Sequence, residues 1–173
     1  MPRGFQSIPA RHSGLSLVEL LISISIMAIM ATLAVPSLHG LLANAHRDRA
    51  LKNLVSDISL ARSLAIKSAR DVVICQRGGS SSCTTETLAD WQVGWIVFVD
   101  KNANRERDDD EALVAERQAL SGLESLRSSN SIKRLVFQPN GLLSSGMTTF
   151  EVRSTAGSHR KVILNRVGRL RVS

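Results

Sequence analysis

Residues 15–35, LSLVELLISISIMAIMATLAV, form an apolar run of 21 residues in which Glu19 is the only charge. A helix of that length rises about 30 Å, the hydrocarbon thickness of a bilayer, so the run reads as a membrane segment. Beyond Pro36 the apolar positions recur at helical spacing, first Leu38, Leu41, Leu42 and Ala45, then Leu51, Leu54, Ile58, Ala61 and Ala65. The polar residues His46, Arg47, Asp48 and Arg49 fall between the two groups. This pattern predicts one helix from about residue 15 to about residue 69, its second half laid against a soluble domain. From residue 72 the period shortens. Apolar segments at 72–76, 95–99, 135–138, 150–153, 162–164 and 170–172 are separated by Gly, Ser and Asn clusters at 78–82, 140–141, 144–146 and 156–158. Such spacing predicts an antiparallel sheet covering the helix rather than βαβ units. The expected class is α+β.

Composition narrows the picture. A chain of 173 residues holds one modest domain and an extra element. With 43% hydrophobic residues and only 4 prolines it is neither disordered nor collagen-like. The aromatic share is 3% with no tyrosine, so a core must be built mainly of Leu, Ile, Val and Ala. The net charge of +7 is unevenly spread: residues 127–173 carry nine Lys/Arg against the single acid Glu151, whereas residues 84–126 hold ten acids against four bases. A basic end and an acidic middle imply two surfaces with different partners.

Ahead of the apolar run lies a polar leader, residues 1–14, with Arg3 and Arg11, closing on Gly14. A secretory signal would place its cleavage site after the apolar stretch; here the small residue precedes it. The positive-inside rule keeps the leader cytoplasmic and sends the remainder to a periplasmic or extracellular space. Glu19 inside hydrocarbon costs at least a few kcal/mol unless neutralised or paired, so it needs a partner. Gly14, Leu15, Glu19 as the fifth residue after the glycine and Pro36 as the twenty-second together resemble the class III leader and N-terminus of type IV pilins and pseudopilins. The resemblance implies cleavage between Gly14 and Leu15 by a prepilin peptidase and methylation of the new N-terminus. It also implies pairing of Glu19 with a neighbouring subunit's terminal amine in assembly. Leu15 stands where such chains most often have Phe. The order of elements, with GWIVFVDKNANRERDDDEALV and then FQPNGLL, resembles the GspH/FimT branch of minor pilins and pseudopilins. The parts are then leader 1–14, membrane or fibre-core half-helix 15–35, amphipathic half-helix 36–70 and antiparallel β domain 71–173 with a basic tail.

Cys75 and Cys83, the only cysteines, flank a Gly/Ser-rich loop in the part expected to face an oxidising compartment, and a disulfide is expected, with two free buried thiols as the alternative. Asp100, Asn102, Asn104, Asp108 and Glu111 stand at positions 1, 3, 5, 9 and 12 of a calcium-loop pattern. Position six is Arg105 where that turn wants glycine, and a solvated hairpin loop with no metal is the preferred reading. No enzymatic motif is present: the four histidines lack metal spacing, and GxSxG, HExxH and Gly-rich phosphate loops are missing. Neither enzyme activity nor a cofactor is expected.

The basic end alternates apolar and cationic residues. Arg160, Lys161, Arg166, Arg169 and Arg171 lie within the last strand pair, Arg169 and Arg171 share a face by period two, and Gly168 permits the tight turn between. Guanidinium forks match phosphate oxygens, and with no aromatic residue to stack bases the expected contact is to the nucleic-acid backbone. Gly168-Arg169-Leu170-Arg171, with Arg166 upstream, resembles the GRxR tail motif of the FimT branch, which implies double-stranded DNA binding in natural transformation. A charged edge strand that resists aggregation is the plainer alternative. The expectation is a minor pilin of a type IV pilus, anchored in the inner membrane with a periplasmic domain and assembled with other minor and major pilins. The alternative is a structural subunit, FimU- or GspH-like, priming pilus or type II secretion pseudopilus assembly without DNA binding.

Overall fold

The computed structural model describes residues 16–85 and 90–173, with side chains throughout except at 33–37 and 80. Gly14 and Leu15, and with them the leader and its cleavage site, lie outside the described residues. Helix α1 runs Leu17–Ser68, as the apolar pattern predicts to within two residues at each end. The chain divides into two units, Met1–Leu38 and His39–Ser173.

In the first unit the described apolar side chains between Leu17 and Met30 are exposed. Their helix hides its polar groups internally: Ser23 Oγ donates to the Glu19 carbonyl and Ser25 Oγ to that of Leu21, each at 2.8 Å, and Thr32 Oγ1 to that of Ile29 at 2.7 Å. Back-bonded hydroxyls leave an outer surface that is almost wholly hydrocarbon. Glu19 sits in the first helical turn, where the helix dipole favours a negative charge. Among the described residues no helix is long and apolar enough to cross a membrane. The segment expected over 15–35 is described with side chains only from residue 16 to residue 32, short of the roughly 20 residues a span requires.

In the second unit α1 buries one stripe, Ala43, Arg47, Ala50, Leu54, Ile58, Ala61 and Ala65, at spacings of three and four residues. The earlier apolar group differs from expectation: Leu38, Leu41, Leu42 and Ala45 are exposed, and Arg47 takes the stripe position instead. Two four-stranded antiparallel sheets stand where one was expected. The first contains β1 (Asp71–Gln76), β2 (Trp95–Asp100), β3 (Leu113–Arg117) and β5 (Arg134–Phe137), in the order β3-β2-β1-β5. The second contains β4 (Leu123–Ser128), β6 (Thr148–Ser154), β7 (His159–Leu164) and β8 (Leu170–Val172), in the order β4-β6-β7-β8. The main core gathers Leu54, Ile58, Val72, Ile74, Trp95 and Val97 with Leu126, Phe150, Val152, Val162 and Leu164. It is therefore shared by the helix and one face of each sheet, and each fully buried large side chain contributes about 1.5–3 kcal/mol. Trp91 packs edge-on against Phe150, ring centroids 5.2 Å apart, and its Nε1 donates to the Ile132 carbonyl at 2.8 Å. The opposite face of the first sheet carries a small second core of Val73, Cys75, Cys83, Ile96, Phe98 and Val136, within which Cys75 and Cys83 form a disulfide.

Two buried polar residues of the helix, Arg47 in the stripe and Asp57 beside it, fix it to the sheets. Arg47 Nη1 donates to Ser158 Oγ at 2.6 Å, in the turn between β6 and β7. Asp57, 1% exposed, accepts from Trp95 Nε1 and Arg117 Nε at 2.8 Å and from Arg117 Nη2 at 2.9 Å. These bonds hold the Arg117 guanidinium pKa above its usual value against the opposing effect of desolvation.

Candidate nucleic-acid interface

The basic end is an ordered hairpin. The turn from β7 to β8 closes through the Gly168 N–H to the Asn165 carbonyl at 2.9 Å, and Asn165 Oδ1 accepts from the Arg169 N–H at 2.7 Å. An Asn that bonds its own turn and a Gly at φ +74° are the chemistry such a loop demands. The ladder continues to the last residue: Lys161 and Ser173 exchange both backbone bonds at 3.0 Å. The turn is also tied sideways, since the Leu143 N–H donates to the Arg166 carbonyl at 2.8 Å.

Arg166, Arg169 and Arg171 are exposed, and no ion pair among the described residues involves any of them. Arg171 is the register partner of Ile163, on the face of the second sheet that points away from the core. Strand alternation puts Arg169 on that side too. Lys161 shares the outward face, where its partner on β6 is Glu151. Two further cations on this face were not anticipated, Arg127, the β4 partner of Glu151, and Arg153, whose Nη2 lies 2.9 Å from Glu151 Oε1. Arg160 has the other parity and turns to the helix, its Nε 3.9 Å from Asp48 Oδ1, an acid already bound by Arg47 at 2.7 Å. The five tail cations thus divide: four gather at the turn and outward face, and Arg160 stands apart. Arg62 of α1 completes the surroundings of the turn. A Cβ at Gly168 would lie 2.5 Å from Arg62 Cδ, so a larger residue there would have to push the Arg62 side chain aside.

The acidic loop between β2 and β3 has a different character. Arg105 itself takes the left-handed conformation, φ +64°, and its N–H donates to Asp100 Oδ2 at 2.8 Å. Asn102 and Asn104 each donate Nδ2 to Asp108 Oδ2 at 2.8 Å, and the Glu111 carboxylate accepts from the N–H groups of Lys101 at 2.6 Å and Asp108 at 3.1 Å. The side chains of the calcium-loop pattern hold the loop's own backbone and one another. Among the described residues no three His, Cys, Asp or Glu side chains are placed to hold a metal ion. At the foot of this loop the Asp71 carboxyl has a raised pKa, first through burial, then through its register partner Asp100, with Arg105 working the other way.

A family profile described as type II transport protein GspH matches residues 50–168. The chain belongs to the GspH family. A second profile, the prokaryotic N-terminal methylation motif, matches residues 9–35 ahead of the GspH region. The chain is 28% identical over 164 residues to the pilin-like protein PilA1 of Thermus thermophilus, an alignment covering 92% of this chain and 97% of that protein. Its fold is similar to that of the type IV minor pilin FimU of Pseudomonas aeruginosa, with TM-score 0.59 and 18% identity over 75% of this chain and 90% of FimU. A second crystal form of FimU gives TM-score 0.57 at 19% identity, over 73% of this chain and 91% of FimU. This GspH-family chain thus has the α+β pilin fold, and its methylation motif implies processing by prepilin peptidase and assembly with other pilins.

Proposed function

We propose that the chain is a minor pilin of a type IV pilus that binds double-stranded DNA, without sequence preference, through its basic C-terminal hairpin. In this reading the leader 1–14 is removed between Gly14 and Leu15. Residues 15–35 anchor the chain in the inner membrane and later in the fibre core, and 36–70 form the amphipathic half-helix. The β domain 71–173 stands in the periplasm, and Glu19 pairs with a neighbouring subunit's terminal amine. The observation that carries the DNA reading is the set of three exposed guanidiniums, without acidic partners among the described residues, at Arg166, Arg169 and Arg171, joined by Lys161 on the outward face. Forks without an ion-pair partner among the described residues, on a hydrogen-bonded hairpin, suit phosphate oxygens, and the described aromatic rings are all buried and offer no surface for base stacking.

The test is titration of short duplex DNA with the full-length protein in an uncharged detergent. For three phosphate contacts, log affinity falls with log salt at a slope near −2.7, so raising salt from about 50 to 200 mM weakens binding roughly 40-fold. Replacing Arg166, Arg169 and Arg171 together by Gln should abolish binding with the fold intact. A second reading, a structural subunit that primes pilus or type II secretion pseudopilus assembly, is supported by the fold likeness to FimU. It predicts no measurable affinity at about 50 mM salt and a triple variant impaired in assembly instead.

A further inference from the structure

We propose that Arg62 of α1 is a fixed phosphate-contacting residue of this surface, so that the DNA backbone is held from the helix side of the β7–β8 turn as well as from the turn itself; this rests on the reading that the basic hairpin binds DNA. The stem of Arg62 is enclosed between two turns. Gly168, φ +74°, brings its Cα so close that a Cβ would lie 2.5 Å from Arg62 Cδ and 2.7 Å from Nε. On the other side Gly141, φ +75°, approaches to within 3.5 Å of Nε by the same measure, and Arg62 Nε donates to its carbonyl at 3.3 Å. One guanidinium N–H is therefore spent on the protein. The two terminal amino groups have no hydrogen bond or ion pair among the described residues.

Arg62 lines a groove of about 360 Å³ together with Ser59, Ser63, Ile66 and Gly168. Among the described residues no acid lines it. The chain segment that supplies Gly168 also supplies Arg166 and Arg169, so the groove opens beside the proposed DNA contacts. The tail arginines are exposed and lose rotamer freedom when they bind, whereas Arg62 is held before any ligand arrives. Its terminal fork is the arrangement that matches two phosphate oxygens. The charge and the two amino groups without a partner among the described residues are left available to an anion.

The test uses full-length protein in uncharged detergent and short duplex DNA between about 50 and 200 mM salt. Arg62→Gln keeps a stem and a donor for the Gly141 carbonyl while removing the charge. Its affinity should fall, with the salt slope shallower by about 0.9, so that its penalty at the lower salt exceeds that at the higher by roughly 3.5-fold. Arg62→Lys should keep the wild-type slope. If Arg62→Gln binds with wild-type affinity and slope while the Arg166, Arg169 and Arg171 triple variant loses binding, the role of Arg62 is overturned and the hairpin reading stands. Equal losses in the Lys and Gln variants with unchanged slopes would make Arg62 a packing strut and overturn the proposal. A wild-type protein that fails to bind at the lower salt overturns the hairpin reading and this inference with it.

Discussion

Asp57 on α1 takes both Nε and Nη2 of Arg117 on β3, at 2.8 and 2.9 Å, from a position that is 1% exposed. Trp95 Nε1 donates to the same carboxylate, so one buried acid ties the helix to two strands of the first sheet. Breaking a buried pair leaves its partners desolvated and unmatched, at about 3–5 kcal/mol. The Arg117 side chain is 38% exposed and can recruit water, which discounts the figure. Asp57→Ala should therefore lower stability by about 2–3 kcal/mol in urea unfolding, whereas Arg117→Ala, which leaves the buried Asp57 carboxylate with only the Trp95 donor, should cost more.

Asp71 gives a pH signature of opposite sense to the usual paired acid. Because its folded pKa is raised, the unfolded chain ionises first as pH rises, and stability falls between the unfolded value of 3.8 and the higher folded value. Asp100, the neighbour whose charge contributes to the shift, has a buried Oδ1 with no hydrogen-bond partner among the described residues. Asp71→Asn should raise the unfolding midpoint at about pH 7 and leave it nearly unchanged at about pH 3. Equal gains at both pH values would separate the effect from ionisation.

The Cys75–Cys83 disulfide closes a loop of sequence separation 8, which corresponds to about 2–3 kcal/mol in the chain-entropy account. Replacing both by Ser should lower the unfolding free energy by that amount. Thiol labelling of denatured, unreduced protein should detect no free cysteine.

How far these features could be read from the sequence depends on how regular the local pattern is. The ends of α1 and the six strands with compact apolar runs were legible because burial there follows a clean period. β4 was not, since a register shift between Leu123 and Ser125 places Leu123 and Leu126 in the core three residues apart, a helical spacing within a strand. β3 was hidden for another reason: it is a half-exposed edge strand whose Glu116 and Arg117 answer to partners on other elements. At the basic end the turn chemistry of Asn165 and Gly168 was legible. Arg62 was not, because nothing in its own segment marks a helix position that two distant glycines come to meet.

Processing and assembly supply two further outcomes. Gly14→Ala or a larger residue should block leader removal, leaving a membrane-bound precursor; mass spectrometry of the mature protein should otherwise show Leu15 as its first residue. Glu19→Ala should be cleaved normally and incorporate poorly into fibres, since its charge belongs to the apolar half-helix and not to the β domain. Undiminished incorporation would remove the pairing role.

Gly168 should be intolerant of substitution twice over. At φ +74° an Ala costs about 1–2 kcal/mol, and its Cβ would displace Arg62. Gly168→Ala should thus weaken DNA binding more than its stability loss accounts for, as comparison with Gly157→Ala, φ +80° with open space around it, would reveal.

The first sheet has apolar residues on both of its faces, and this bears on how the chain finds its pairing. Val72 through Cys75 on β1 and Trp95 through Phe98 on β2 are all buried, alternate residues going to the main core and to the smaller one behind it. A slip of one residue between these strands would exchange one oily face for the other, with little hydrophobic penalty to oppose it. Discrimination must come from groups that tolerate only one address: the Trp95 indole that meets Asp57, and the Cys75 thiol that must face Cys83. The Cys75–Cys83 bond is compatible with one alignment only, because it needs Cys75 on the face of the sheet turned away from the helix.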